Sequence, residues 1–329
     1  MGYVAGETIL DDHYNGFLSG SSAGAYGINH VFGSGNAGYG LGQTELVGTS
    51  AGTTITAAKW NSLFTGMDDT ANHTNDTLTS SAARSAGDPI KFISSLVADL
   101  NTLAASVVGG SVSATAIADG GEDLSTVASA VFDTSHICET TYTFAGGDEA
   151  RWFFNAGGKL RIKLTNNASN STSKDTDVSA LAVSMGNFDI AGTVAARSGS
   201  GNTQTTFAST TGYYDLTTSY ATLLHLEEDA GTYTNNIEVK VEGKVSAAHG
   251  DGRGNNGEVI TVKCSVLLND STRTDYSSGN LSSVHVEAEA AGTTDWAFHT
   301  QDPTTAQGLA VIYGPTAVAS TSNAIVNAD

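Results

Sequence analysis

The chain is poor in positive charge and in cysteine, and each shortage removes a class of function. Its 329 residues carry 14 Lys and Arg against 34 Asp and Glu, a formal net charge of −20, and the first basic side chain is Lys59. Phosphate contacts need a basic face, so no nucleic-acid partner is expected. An anionic membrane surface is disfavoured on the same ground. The acidity reads as a solubilising surface. Only two cysteines occur, Cys138 and Cys264. One bridge does not make a disulfide scaffold, and Cys264 sits among Ile260, Val262, Val266 and Leu268 in a strand-like run. Buried free thiols are therefore preferred over a disulfide. No apolar run reaches the roughly 18 residues of a membrane span, and no charged-then-apolar leader opens the chain. Neither membrane insertion nor a standard secretion signal is expected. Aromatics make up 8% of the residues and no long charge run occurs, which speaks against general disorder.

What is present is a repeat. Residues 5–20, AGETILDDHYNGFLSG, recur 46 positions later as AGTTITAAKWNSLFTG at 51–66. Ala5/Ala51, Gly6/Gly52, Thr8/Thr54, Ile9/Ile55, Asn15/Asn61 and Gly20/Gly66 coincide, and Tyr14 and Trp60 precede the shared Asn. A fainter third copy begins AGDPI at Ala86. Duplication of this kind marks a stacked or self-associating module, in which one unit buries its apolar face on the next.

The periodicity implies an α+β chain. Short helical modules over 1–85 are joined by a flexible Gly-rich arm, GSGNAGYGLG at 33–42. Asp11 or Asp12 caps the first helix and Thr56 the second. A longer helix starts at Asp88-Pro89 and runs through Ile93, Leu96, Val97, Leu100, Leu103, Ala104 and Val107 to Gly109-Gly110. Its apolar stripe is either an oligomer seam or a face packed on its own domain. A weaker helix is expected over 122–132, closing a helical segment over 86–134. From 135 to 300 the period becomes that of an antiparallel, jelly-roll-like β-sandwich. Its expected strands are 136–144, 150–155, 158–164, 178–184, 219–227, 236–242, 258–268 and 283–290. Residues 301–329, rich in Ala, Ser and Thr, read as an extended arm that needs a neighbour to order it.

No motif carries catalysis. GSGNAG (33–38) lacks the βαβ context of a dinucleotide loop. DGRGNNGE (251–258) places Arg253 and Asn256 where a calcium loop needs an oxygen ligand and a glycine, so a hairpin loop is expected. The eight histidines show no zinc spacing, and no G-x-S-x-G elbow occurs. No catalytic, cofactor or metal residue is assigned. His285 is expected on a solvated strand face. Lys159, Arg161 and Lys163 lie on one face of KLRIKL, with Arg151 nearby. That basic patch is either a docking surface for an acidic neighbouring subunit or an ordinary solvated strand face.

ARWFFNAGGKLRIKL at 150–164 resembles a recurrent segment of virion structural proteins of tailed bacteriophages, especially of marine and cyanobacterial phages. There Trp152, Phe153 and Phe154 anchor a strand, and Asn155–Gly158 turns it into the next. TITAAKWNSLFTGMDDTANHT (53–73) is similar to helical modules in front of that segment, and YTNNIEVKV (233–241) and GEVITVKCSVLLND (257–270) to strands behind it. The resemblance implies a non-enzymatic homo-oligomer, trimer or hexamer, without cofactors, in a virion assembled in the host cytoplasm and released by lysis. Tail fibre, baseplate or neck appendage is the expected place, with other virion proteins as partners. Trp60, Asn61, Trp152, Phe153, Phe154, Lys159, Arg161 and Lys163 are the expected assembly residues. The alternatives are a carbohydrate-binding adhesin, with Tyr213, Tyr214 or Trp296 as exposed platforms for host glycan, and a capsid decoration protein. A glycan hydrolase is the weakest reading.

Overall fold

In the computed structural model the described residues are 11–20, 26–80, 82–86, 93–119, 124–170, 172–201, 203–229, 236–250, 257–268, 273–275, 284–286 and 291–327. Residues 5–10 of the first repeat, Asp88-Pro89, the loop at 251–256 and the side chain of His285 lie outside them.

Among the described residues four helices belong to the N-terminal unit: α1 (Asp11–Ser19), α2 (Ile28–Val31), α3 (Ala57–Thr74) and α4 (Ile93–Gly109). Thr56 caps α3 as expected, its hydroxyl accepting the Lys59 N–H, and Asn75 ends that helix in the left-handed conformation. Helices α1 and α2 are too short to persist alone, and the unit is held by a common core of Tyr14, Phe17, Trp60, Leu63, Phe64 and Met67. The α4 stripe, Leu96, Leu100, Leu103, Ala104 and Val107, is buried in that same core. It packs on its own domain, and the alternative of an oligomer seam is set aside.

The rest is a β-sandwich of antiparallel sheets with helices laid against it. Its elements are β1 (Ile117–Asp119), β2 (Ser125–Ala128), β3 (Ser135–Thr143), α5 (Gly147–Asn155), β4 (Lys159–Asn166), α6 (Ser173–Met185), β5 (Phe188–Ile190), β6 (Ala195–Arg197) and β7 (Thr203–Phe207). There follow β8 (Ala221–Asp229), β9 (Asn236–Val245), β10 (Val259–Leu268), β11 (Arg273–Asp275), β12 (Val284–Val286), β13 (Thr294–Pro303) and β14 (Ala317–Val326). One sheet runs β1-β13-β4-β5-β6, with β2 also on β13, and the other β14-β3-β10-β9-β8-β7, while β11 and β12 pair separately. Leu160, Ile162, Leu164, Trp296 and Phe298 of the first sheet share a core with Tyr142, Leu224, Val239, Val241 and Val262 of the second. The alternation read from KLRIKL and EVKVE therefore holds on the apolar side.

Three expected elements change type. Residues 150–155 belong to helix α5 rather than to the first strand of a hairpin. Asp148 and Glu149 in its first turn favour a helix N-terminus, and Phe153 and Phe154 reach the sandwich core from it. Residues 178–184 lie in helix α6, where Thr172 caps the start by accepting the Asp175 N–H. The spacing Val178, Leu181, Met185 buries one face, and the apparent alternation of VSALAVS was the weaker signal. The described part of 122–132 contains strand β2, paired with β13, in place of a helix.

Cys138 and Cys264 are both free and fully buried, directly opposite one another on β3 and β10. Burial, and then the neighbouring Cys138, pushes the Cys264 thiol well above its ordinary range.

Candidate functional site

The repeat explains itself through its asparagine. In the first copy Asn15 Nδ2 donates to the Thr49 carbonyl, and the Thr49 N–H donates to Asn15 Oδ1, each at 2.8 Å. In the second, Asn61 makes the same two bonds with Arg84, at 2.9 and 2.8 Å. Thr49 stands two residues before Ala51 and Arg84 two before Ala86, the starts of the second and third copies. Each module thus fastens the head of the next by satisfying one backbone N–H and one C=O. The aromatic before each Asn stacks the copies, with Tyr14 edge-on to Trp60 at 5.6 Å. Trp60 and Asn61, expected at an assembly surface, join modules within one chain.

The segment carrying the resemblance does similar work between the N-terminal unit and the sandwich. Ser34 O accepts from both Trp152 Nε1 and Arg151 Nη2 at 2.8 Å, and the same Nη2 reaches Asp148 Oδ1 at 2.8 Å. Asn155 Nδ2 donates to the carbonyls of Gly38 and Gly40, both at 2.8 Å, while its Oδ1 accepts from the Tyr214 hydroxyl. Gly42 is seated between the rings of Trp152 and Tyr313, and the Tyr313 hydroxyl donates to its carbonyl at 2.6 Å. Gln43 then holds the C-terminal segment, donating to Val311 O and accepting from Ala310 and Val311 N–H. The arm at 33–42, expected to be flexible, is fixed because side chains of α5 supply the partners its own backbone lacks. Phe153 and Phe154 point the other way, into a cluster with Phe144 and Tyr213.

The expected basic patch is partly consumed. Arg161 is buried and paired with Asp189 through Nε at 2.6 Å and Nη2 at 2.8 Å. Arg151 is 2% exposed. Lys159 and Lys163 remain half-buried on the strand. Tyr213, Tyr214 and Trp296, expected as exposed platforms, are buried at 0, 8 and 0% exposure. They are core, and the glycan-binding role assigned to them is corrected accordingly.

On the outer ladder of β8 and β9, Glu227 and Glu238 stand directly opposite, with His225 beside them. His225 Nε2 lies 3.3 Å from Glu227 Oε1 and 3.0 Å from Glu238 Oε2, and Lys240 Nζ shares the latter oxygen. Three ligand atoms within 4.8 Å of one another could hold a divalent cation. The cluster is equally an ion-pair set that relieves the repulsion of two opposed carboxylates.

The feature that the sequence reading missed is the outer edge of β14. Among the described residues this strand ends its sheet and pairs with β3 alone, and it is exposed at eight of its ten positions, all but Val318 and Ile325. The segment expected to be an arm in need of a neighbour finds its first neighbour in β3 of its own chain. No charged residue occurs from Pro303 to Ala328, in a chain with 48 charged residues (34 acidic and 14 basic). Natural edges are shortened, charged or bulged away from partners. The other sheet's edge strands, β1, β2 and β6, have only three or four residues each, and β6 includes Arg197. The uncharged run after Pro303 was the signal available in the sequence.

Comparison of the chain with protein-family models, characterised proteins and solved structures gives no match to any of them.

Proposed function

We propose that this chain is a non-enzymatic, homo-oligomeric structural component of a tailed-phage particle, in a tail fibre, baseplate or neck appendage. The observation that carries the reading is the use of the segment at 150–164. Its Trp, Arg and Asn side chains tie the N-terminal modules to the sandwich, and its phenylalanines fill the core. A motif whose bulky and polar groups are spent on joining parts of the chain belongs to a building block. The modules fastened head to tail by Asn15 and Asn61 support the same reading, as does a long uncharged strand edge. No helix among the described residues is long and apolar enough to cross a membrane.

The test is mass spectrometry of purified phage particles from the source of this chain, with gold-labelled antibodies raised against residues 135–300. Recovery of the chain and label on the distal tail, fibres or neck is the expected result. Label over the head favours decoration of the capsid. Absence of the chain from purified particles overturns the reading.

A further inference from the structure

We propose that two copies of the chain pair antiparallel along their β14 edges, about a twofold axis between Thr321 and Ser322, joining two six-stranded sheets into one. The inference rests on the homo-oligomeric part of the reading above and not on any place in a particle. An edge strand leaves half of its backbone N–H and C=O groups without ladder partners, and here no charge or proline guards them. A second acidic molecule can approach this edge without bringing carboxylates together.

The occupant is argued from the strand itself. AVASTSNAIV reads nearly the same in both directions by side-chain class. Folded about its centre, it sets Ala317 opposite Val326, Val318 opposite Ile325, Ala319 opposite Ala324, Ser320 opposite Asn323 and Thr321 opposite Ser322. An isologous contact demands this property, because residue i must suit residue j in both directions. Val318 and Ile325 are seven positions apart and would face opposite sides of a regular strand. The ladder to β3 is bulged between Ser320 and Ser322, which resets the alternation, and both side chains pack on the sandwich core. Paired copies would therefore place Val318 beside Ile325 twice, on the core side, the β-branched cross-strand contact that favours sheet pairing. Such a contact builds dimers or hexamers of dihedral symmetry, and a purely cyclic trimer cannot contain it.

The full-length protein carrying Ala319→Cys, mixed with the protein carrying Ala324→Cys, tests the register under mild oxidation. Both positions are exposed. The mixture should give a disulfide-linked dimer while each variant alone gives none. A second variant, Ala319→Glu with Ala324→Glu, sets carboxylates face to face twice, and sedimentation should show association weakened about tenfold or more with unchanged circular dichroism. An oligomer that persists in the Glu variant without cross-linking of the cysteine mixture overturns this pairing and leaves the oligomeric reading standing. A wild-type protein that sediments as a monomer at every concentration overturns both.

Discussion

Two uncharged segments of this molecule began with the same problem and reached different ends. The arm at 33–42 and strand β14 both lack charge, and neither has bulk enough to form a core of its own. Each needs partners for its backbone polar groups. The arm obtains them from side chains: Arg151, Trp152 and Asn155 cap its carbonyls, and Tyr313 closes the far end. Strand β14 obtains them from backbone, along β3, and a ladder satisfies only one edge. Side-chain capping closes a segment to further contact, whereas strand pairing carries the open edge outward by one strand. The difference assigns the first segment to the interior architecture and the second to the surface.

The contrast can be broken most sharply at Asn155. Replacing it with Ala takes the shared donor from the Gly38 and Gly40 carbonyls in a buried site and leaves the Tyr214 hydroxyl only its longer bond to Arg151 O, and should destabilise the protein by about 3 kcal/mol or more in urea unfolding. Loss of less than about 1 kcal/mol would show that the arm is held mainly by packing. Gly42→Ala should follow with about 2 kcal/mol. Gly42 has φ of +68°, and an added Cβ would lie 2.5 Å from ring atoms of both Trp152 and Tyr313.

A smaller effect separates the anchored side of β14 from its free side. His136 joins β14 to the other sheet, with Nε2 3.1 Å from Asn323 Oδ1 and Nδ1 2.7 Å from Thr294 Oγ1. Burial lowers its pKa below the ordinary 6.5, against opposing contributions from Asn323 and Asp295. The folded state then binds fewer protons than the unfolded chain below pH 6.5, so this residue's contribution to stability falls as pH drops through that value and levels off below the folded pKa. His73, also buried, acts in the same direction, with Nε2 donating to Ala156 O. The urea midpoint should decline between about pH 7.5 and pH 5.5, and His136→Gln should lessen that decline. An unchanged slope would assign the acid sensitivity to other groups. The smallest effect belongs to the free edge: Ala324→Glu should alter monomer stability by no more than about 0.5 kcal/mol in thermal melts, because the side chain is exposed.

Much of the framework was legible residue by residue. The Thr56 cap, the α4 stripe and the alternation of Leu160, Ile162 and Leu164 are local patterns, and local patterns survive folding. The repeat was legible too, including its Asn, but not what that Asn binds, since Thr49 and Arg84 lie 34 and 23 residues away. The WFFN segment misled because consecutive aromatics satisfy a strand pattern, while two flanks of a helix between an arm and a sandwich satisfy them equally. Tyr213, Tyr214 and Trp296 could not be placed, because an aromatic side chain suits a core and a binding surface alike. Arg161 appeared solvated by its position between apolar residues, and Asp189 on the neighbouring strand β5 brought it inside.

By itself, then, the sequence determined periodicity, caps, charge balance and duplication, because these depend on residues within a few turns or positions of one another. It pointed to Cys264 buried on a strand, since that residue alternates with Val262, Val266 and their neighbours. Only the tertiary structure decided which backbone groups found partners. That choice sets the arm under α5, leaves β14 with an open edge and brings Cys138 opposite Cys264. Hydrogen-bond satisfaction is a requirement on the whole chain, met by whichever donor lies within about 3 Å after folding, and no local pattern contains that distance.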